Sequence, residues 1–529
     1  MKNRNYVWIF LLIGLVAAGM ALGCGDDDDD DDSSGDDDAD DDVDDDADDD
    51  ADDDADDDAD DDIDDDADDD IIEDDYIAPW PQSNIEAPDY DESPIPGPLR
   101  QKAIEYDDWH LANHQPYHGG TVRIIFTDET RSVVDHYFDW NDSCEWTGLY
   151  MGSQAVRYHA TGDEQARENV KRMVSMLSGN LHITGTPGYI ARYWADQDAL
   201  IYPGDEWCDA SEQRKCQHIE DGPDAGKWWW GETSRDMYNG WFFGMSLAYD
   251  LVDDEAMRQV IREDVEHVLT VLMSQNWMIL NEIGQPTGYA PDVMPPFRLA
   301  WLTIGYHITG SDAIRQELAK LLKNDMRVLM RLLSITFMNH YTEYYGNCLS
   351  HEYWYNLLRL GKVYFSDDDY AFMLNLFETQ IHTFTRLSHN PWFNDVFMSQ
   401  GAYIPEEVDD PYQAQLEQDL SDFRPAPNFR YHLDARDPAT YTLDPLSVLL
   451  SDLVDDLPLF LQDIIGDVDY QATDAFPVNM QCSTDFLFQR NPFQIEQCGS
   501  DDLTLVNAGV DYLIAYWLAS YHKFISKDM

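Results

Sequence analysis

Positive charge is scarce in this chain. Its 529 residues hold 32 Lys and Arg against 106 Asp and Glu, a formal net charge of −74. Residues 26–75 account for 37 of the acids and for no base, and residues 76–529 still carry 69 acids against 30 bases. The excess over residues 76–529 argues against nucleic acid and anionic polymers as partners, because binding them requires a basic surface that displaces counterions. Neutral or cationic ligands, or a saline exterior, suit such a surface. Several signatures are also missing. There is no G-x-S-x-G elbow, no P-loop and no H-E-x-x-H; His351-Glu352 opens like the last but runs on as Tyr353, Trp354 and Tyr355. No CxxC occurs, and His218 beside Cys216 lacks a second ligand pair. No cofactor and no metal is therefore expected.

A long apolar run occurs once, at residues 6–23, behind Lys2 and Arg4 and ending in Ala21-Leu22-Gly23 before Cys24. A basic start, an apolar stretch and a small residue before the cut make an export signal. With cysteine next, residues 1–23 resemble a bacterial lipoprotein signal peptide, although Ala21 stands where Leu is preferred. The resemblance implies that Cys24 is acylated and that the protein is lipid-anchored in a bacterial cell envelope, at the outer membrane or cell surface. Residues 24–75 are dominated by aspartate, much of it in runs of three followed by Ala, Val or Ile. Like charges repel and little apolar surface offsets chain entropy, so this is expected to be a disordered, extended tether. Within the repeat there is neither the glycine turn nor the closing glutamate of a calcium loop. Residues 76–139 read as a Pro-rich collar and entry segment, and residues 140–529 as the main domain.

Six cysteines follow Cys24: Cys144, Cys208, Cys216, Cys348, Cys482 and Cys498. An even number in an exported protein suggests disulfide bonds. Pairs Cys208–Cys216 and Cys482–Cys498 would close short loops, leaving Cys144–Cys348 as a long-range staple; this is the simplest of fifteen pairings.

The domain repeats a theme. Apolar helices around Gly148–Ser153, Gly240–Met245, Arg298–Leu302, Tyr353–Leu358 and Val510–Trp517 each end in a Tyr-containing segment. In the first four, an Asp-containing turn and an amphipathic helix follow, expected over Asp163–Leu177, Asp254–Met273, Asp312–Leu333 and Asp368–Ser388, with the Asp as N-cap. Met257, Val260, Ile261, Val265, Val268, Leu269 and Leu272 form one clean stripe at spacings of three and four. Helices apolar nearly all round, paired with amphipathic ones, predict an all-α fold in two layers. This resembles the (α/α) toroid of helical hairpins in six-hairpin glycosidases and related polysaccharide lyases. Residues 391–505, rich in Pro, read as a long irregular insertion. The resemblance implies a carbohydrate cleft where the inner helices begin.

Four junctions there carry polar groups. They are Asp142 and Glu145 beside Trp146; Glu232, Arg235, Asp236 and Tyr238; Tyr289, Asp292 and Arg298; and Asn339, His340, Tyr344, Asn347, His351 and Glu352. Glycoside hydrolysis needs one protonated and one ionised carboxyl across a sugar ring. Glu145 and Asp236 are the preferred catalytic pair, with Arg235 alongside and Glu352 and Glu232 in reserve. Trp146, Trp228, Trp229, Trp230 and Trp241, with Tyr238 and Asn347, are candidate sugar-binding groups, set against a core role for each tryptophan. A polysaccharide lyase acting on a uronate polymer is the alternative. It would use His351, Tyr344, Tyr238, Asn347 and Arg235, in a set similar to those of toroidal lyases. Non-catalytic glycan binding or a surface-scaffold role is a third reading. The expected partners are a glycan and, through the lipid, a membrane.

Overall fold

The structure is a computed structural model. It describes residues 77–80, 96–138, 140–202, 204, 215–334, 339–341, 344–402, 411–427, 436–455, 457–458, 462, 468–481, 491–495 and 503–526. The signal peptide, Cys24, the Asp-rich tether, Cys208, Cys482 and Cys498 lie outside these residues.

The fold is helix-rich, of all-α character, with two small three-stranded sheets among the described residues. Helix α1 (Pro98–Asn113) begins with Pro at N1, where the missing N–H costs nothing. Strands β1 (Arg123–Phe126) and β2 (Val134–Phe138) follow. Then come α2 (Ser143–Thr161) and α3 (Glu164–His182), the strands β3 (Tyr193–Asp196), β4 (Cys216–His218) and β5 (Lys227–Trp230), and α4 (Arg235–Leu251) with α5 (Glu255–Ser274). Next are α6 (Pro295–Thr309), α7 (Asp312–Leu321), α8 (Asn324–Leu333), α9 (Tyr345–Tyr364) and α10 (Asp367–Phe377). The last are α11 (Pro391–Phe397), α12 (Pro411–Asp422), α13 (Pro445–Asp455), β6 (Leu505–Val506) and α14 (Val510–Tyr521).

The expected alternation of helix types is present. Residues 143–160 of α2 are buried on every face, whereas α3 buries one stripe from Ala166 to Leu181. Asp163 and Asp254 cap α3 and α5, accepting from the N–H groups of Gln165 and Met257. At α7 and α10 the cap position falls to Ser311 and Ser366, and the aspartates sit in the first turn, where the helix dipole favours them. The helix expected over Asp312–Leu333 is two, because Lys323 adopts an extended conformation between α7 and α8.

Helix packing runs in sequence. Helix α2 lies against α4, α4 against α6, α6 against α9, α9 against α11, α11 against α14, and α14 returns to α2. Helix α11 stands where the insertion is expected to begin; it is short and Pro-initiated, and its capping Asn390 accepts from Trp392 N–H. Helix α1 packs on α14, where Tyr106 stacks on Tyr512 with ring centroids 4.9 Å apart. Trp517 Nε1 and Arg157 Nη1 reach Asp107 of α1 at 2.9 and 3.0 Å. Residues of the expected entry segment thus belong to the helical body, and β1 also pairs with β6 near the other end of the chain.

The closest helix contact rests on glycine. A Cβ on Gly148 of α2 would lie 1.9 Å from the Gly240 carbonyl oxygen, and one on Gly240 of α4 would lie 2.5 Å from Glu145 Cα. Helices α2 and α4 therefore meet backbone to backbone, an approach only hydrogen side chains permit. This contact sets the position of Glu145.

The three tryptophans form the strand β5. Period-two alternation sends Trp228 and Trp230 into a small cluster with Val122, Met176, Tyr193 and Cys216, and Trp229 into the main core. Their exposures are 0%, 5% and 3%. They fill core on both faces of the sheet, the core role rather than the sugar-binding one.

No disulfide joins any two described residues. Cys144 and Cys348 are both buried free thiols, so the expected long-range staple is corrected. Cys144 Sγ lies 3.6 Å from the Met237 carbonyl, and Cys348 Sγ lies 3.8 Å from Glu352 Oε1. Each thiol thus packs within the helix contacts as a small hydrophobe with a weak donor.

Candidate functional site

Glu145 lies in the first turn of α2, Asp236 in the first turn of α4, and Glu352 in the second turn of α9. These helix starts come together because α2 and α9 both pack on α4. The carboxyls of Glu145 and Glu352 are hydrogen-bonded to one another. Asp236 acts electrostatically on both, and Asp142 acts on Glu145. Glu145 is 5% exposed and Glu352 fully buried, while Asp236 is half-buried. Asp236 is therefore the member most open to solvent.

Burial, first of all, holds both glutamates well above the usual carboxylate range, and their acidic neighbours push the same way. For Glu352 three contacts oppose this, from Glu145, Asn239 and Cys348. Asn239 Nδ2 donates to Glu352 Oε2 at 2.7 Å and to the Leu349 carbonyl at 3.0 Å. Its Oδ1 accepts from the indole of Trp301 at 3.4 Å. A carboxyl pair of this kind shares protons, since two adjacent buried carboxylates repel. The site can hold a proton at neutral pH beside a third carboxyl.

The preferred pair, Glu145 and Asp236, is brought into one cluster, and Glu352, held in reserve, completes it. Arg235 turns away from Asp236. Its guanidinium stands 5.5 Å over the Phe297 ring and donates to the Asp292 carbonyl, tying α4 to the start of α6. Adjacent helical residues point about 100° apart, which accounts for the divergence. Glu232, the other reserve, accepts from Gly288 N–H at 2.7 Å in a neighbouring loop.

His351 points about 100° round α9 from Glu352. Its Nδ1 meets the Asn347 carbonyl at 2.6 Å, and its ring stacks on Phe393 at 4.1 Å. Burial lowers its pKa to about 3, so it is neutral. Asn347 is fully buried, and among the described residues its amide has no hydrogen-bond partner. Tyr238 donates to the Gly188 carbonyl at 2.7 Å and Trp241 to the Leu177 carbonyl at 3.2 Å; both are buried, as is Trp146. Asn239 and Trp301 were not singled out in the sequence. Asn239 was in reach, one turn after Asp236 on the same helix face. Among the described residues no three His, Cys, Asp or Glu side chains are placed to hold a metal ion.

Comparison with protein-family models, with curated proteins and with solved structures finds no match to this chain.

Proposed function

We propose that this protein is a surface-anchored carbohydrate-active enzyme, a glycoside hydrolase that works through a carboxyl pair. The observation that carries the reading is the Glu145–Glu352 contact beside Asp236. Glu145, kept protonated by burial and by acidic neighbours, serves as the acid. Asp236, half-buried at the positive end of α4, serves as the ionised partner, base or nucleophile. The fold belongs to the same proposal. Helices α2, α4, α6, α9, α11 and α14 are taken as the inner layer of an (α/α) toroid. Their closed series of contacts supports this, as do α3, α5, α7, α10, α12 and α1 packing behind them.

The lyase reading draws less support, since His351 and Tyr238 are buried and engaged with backbone carbonyls on other faces. Lipid anchoring through Cys24 and the Asp-rich tether is part of the proposal too. Just beyond the tether, Trp80 donates to the His307 carbonyl at 3.1 Å and Ala78 to the Tyr364 carbonyl at 2.8 Å. These contacts sit at the C-terminal ends of α6 and α9, about 18 Å along α9 from Glu352 at the standard helical rise. An anchored molecule would thus turn the carboxyl cluster away from the tether and outward.

The test is reducing-end release from a panel of neutral polysaccharides by the wild type, Glu145→Gln and Asp236→Asn. Hydrolysis by the wild type that falls at least ~100-fold in each variant supports the proposal, since general acid–base groups contribute 10²–10⁴-fold. Hydrolysis unaffected by either substitution refutes it. Binding without cleavage favours the glycan-binding role, and an unsaturated, ultraviolet-absorbing product from a uronate polymer favours the lyase.

A further inference from the structure

We infer that Trp301 and Asn239 lock Glu352 as a hydrogen-bond acceptor, so that the proton in the Glu145–Glu352 contact resides on Glu145. This deepens, and rests on, the carboxyl-pair reading of the site. The argument begins with the indole. Trp Nε1–H can only donate, so the atom of Asn239 facing Trp301 is its oxygen, and the amide cannot be turned over. Both amide hydrogens then point to acceptors, one to the Leu349 carbonyl and one to Glu352 Oε2. That oxygen is occupied as an acceptor by a charge-assisted bond, which favours the ionised form of Glu352. The Cys348 thiol, 3.8 Å from Oε1, is a second weak donor to the same carboxylate. Glu145 has no such neutral donor among the groups that act on it most strongly, which are Glu352, Asp236 and Asp142, all acids. Across a carboxyl–carboxylate contact the proton belongs to the partner whose other contacts favour the neutral form.

Glu352 is then a positioning residue. It keeps the Glu145 hydroxyl proton in place without itself touching substrate, and Trp301 and Asn239 act through it. Asp511 of α14 acts on Cys348 and adds to the acidity of the same end. The locking chain runs from α6 through α4 to α9 and reaches α2, so it spans helices that separate sequence segments must bring together.

The proton can be located without a substrate. The full chain is labelled with carbon-13 at the glutamate carboxyl carbon, and the ionisation of each resonance is followed with pH. At neutral pH a glutamate resonance in the neutral-acid position is expected, lost in Glu145→Gln. In Glu352→Gln the same resonance persists at low pH, and its midpoint falls by on the order of 1–2 units, because a negative neighbour is replaced by an amide donor. Full ionisation of every glutamate in the wild type, survival of the neutral resonance in Glu145→Gln, or an unchanged midpoint in Glu352→Gln would each overturn the inference. A neutral Glu145 in a protein that cuts no glycan would leave the inference standing and remove the hydrolase reading alone.

Discussion

Replacing Gly240 with Ala adds one methyl group to a helix, and in an exposed helix that change stabilises by about 1 kcal/mol. Here the sign reverses. The new Cβ would lie 2.5 Å from Glu145 Cα and 2.6 Å from the Glu145 carbonyl oxygen. Optimal carbon contacts are about 3.5–4.0 Å, so α2 and α4 must separate by roughly 1 Å. The obstructing atoms are backbone, which a rotamer change cannot move. Overpacking of this kind costs about 1–3 kcal/mol, and a backbone–backbone clash falls at the upper end. After the propensity gain, a net loss of about 1–2 kcal/mol is expected. Urea unfolding followed by circular dichroism should show a lower midpoint with an unchanged slope. Gly361→Ala is the comparison: its Cβ would meet the buried Phe365 ring at 2.9 Å, a side chain rather than backbone, so a smaller loss than at Gly240 is expected. A Gly240→Ala protein as stable as the wild type or more so would refute the backbone contact on which the position of Glu145 depends.

Two further outcomes follow from buried groups. Burial tends to raise the pKa of Asp250, but His307 at 2.6 Å and the Arg359 guanidinium at 2.6 Å outweigh it and hold the carboxyl below its ordinary value. A depressed acid contributes stability above its unfolded pKa of about 3.9 and loses it as pH falls through the lower folded value. Wild type and Asp250→Asn should therefore differ by about 3–5 kcal/mol near neutral pH and converge in acid; a gap independent of pH would count against the ion trio. Burial pushes the Cys144 thiol up to about 12 and the Cys348 thiol up as well. Neither should react with a thiol-specific disulfide reagent in the native protein, and both should react in denaturant without reductant. If they stay unreactive when unfolded, they are cross-linked after all.

The helices were legible because their signal is local. The stripe from Met257 to Leu272 predicts a helix that the structure places at Glu255–Ser274, and Asp163 and Asp254 cap where expected. Helix α11 escaped notice because seven residues are too few to show a period. The triple tryptophan misled for the opposite reason. A polar segment follows it, but alternation along β5 buries Trp228 and Trp230 on one side and Trp229 on the other, which depends on strands supplied by other segments.

The sequence by itself determined the helical character, the pairing of all-round apolar helices with amphipathic ones, and the acidity of the chain. All of these follow from composition and from spacings of three or four residues. Only the tertiary structure decided which carboxyls meet. Glu145 and Glu352 touch because glycines let α2 and α4 close to backbone contact while α9 packs against α4. Whether Glu352 accepts or donates depends on an amide in α4 and an indole in α6, more than fifty residues apart from each other and from Glu352 in the case of Trp301. Local pattern carries no information about contacts across such separations; they are fixed by which surfaces bury one another when the helices pack.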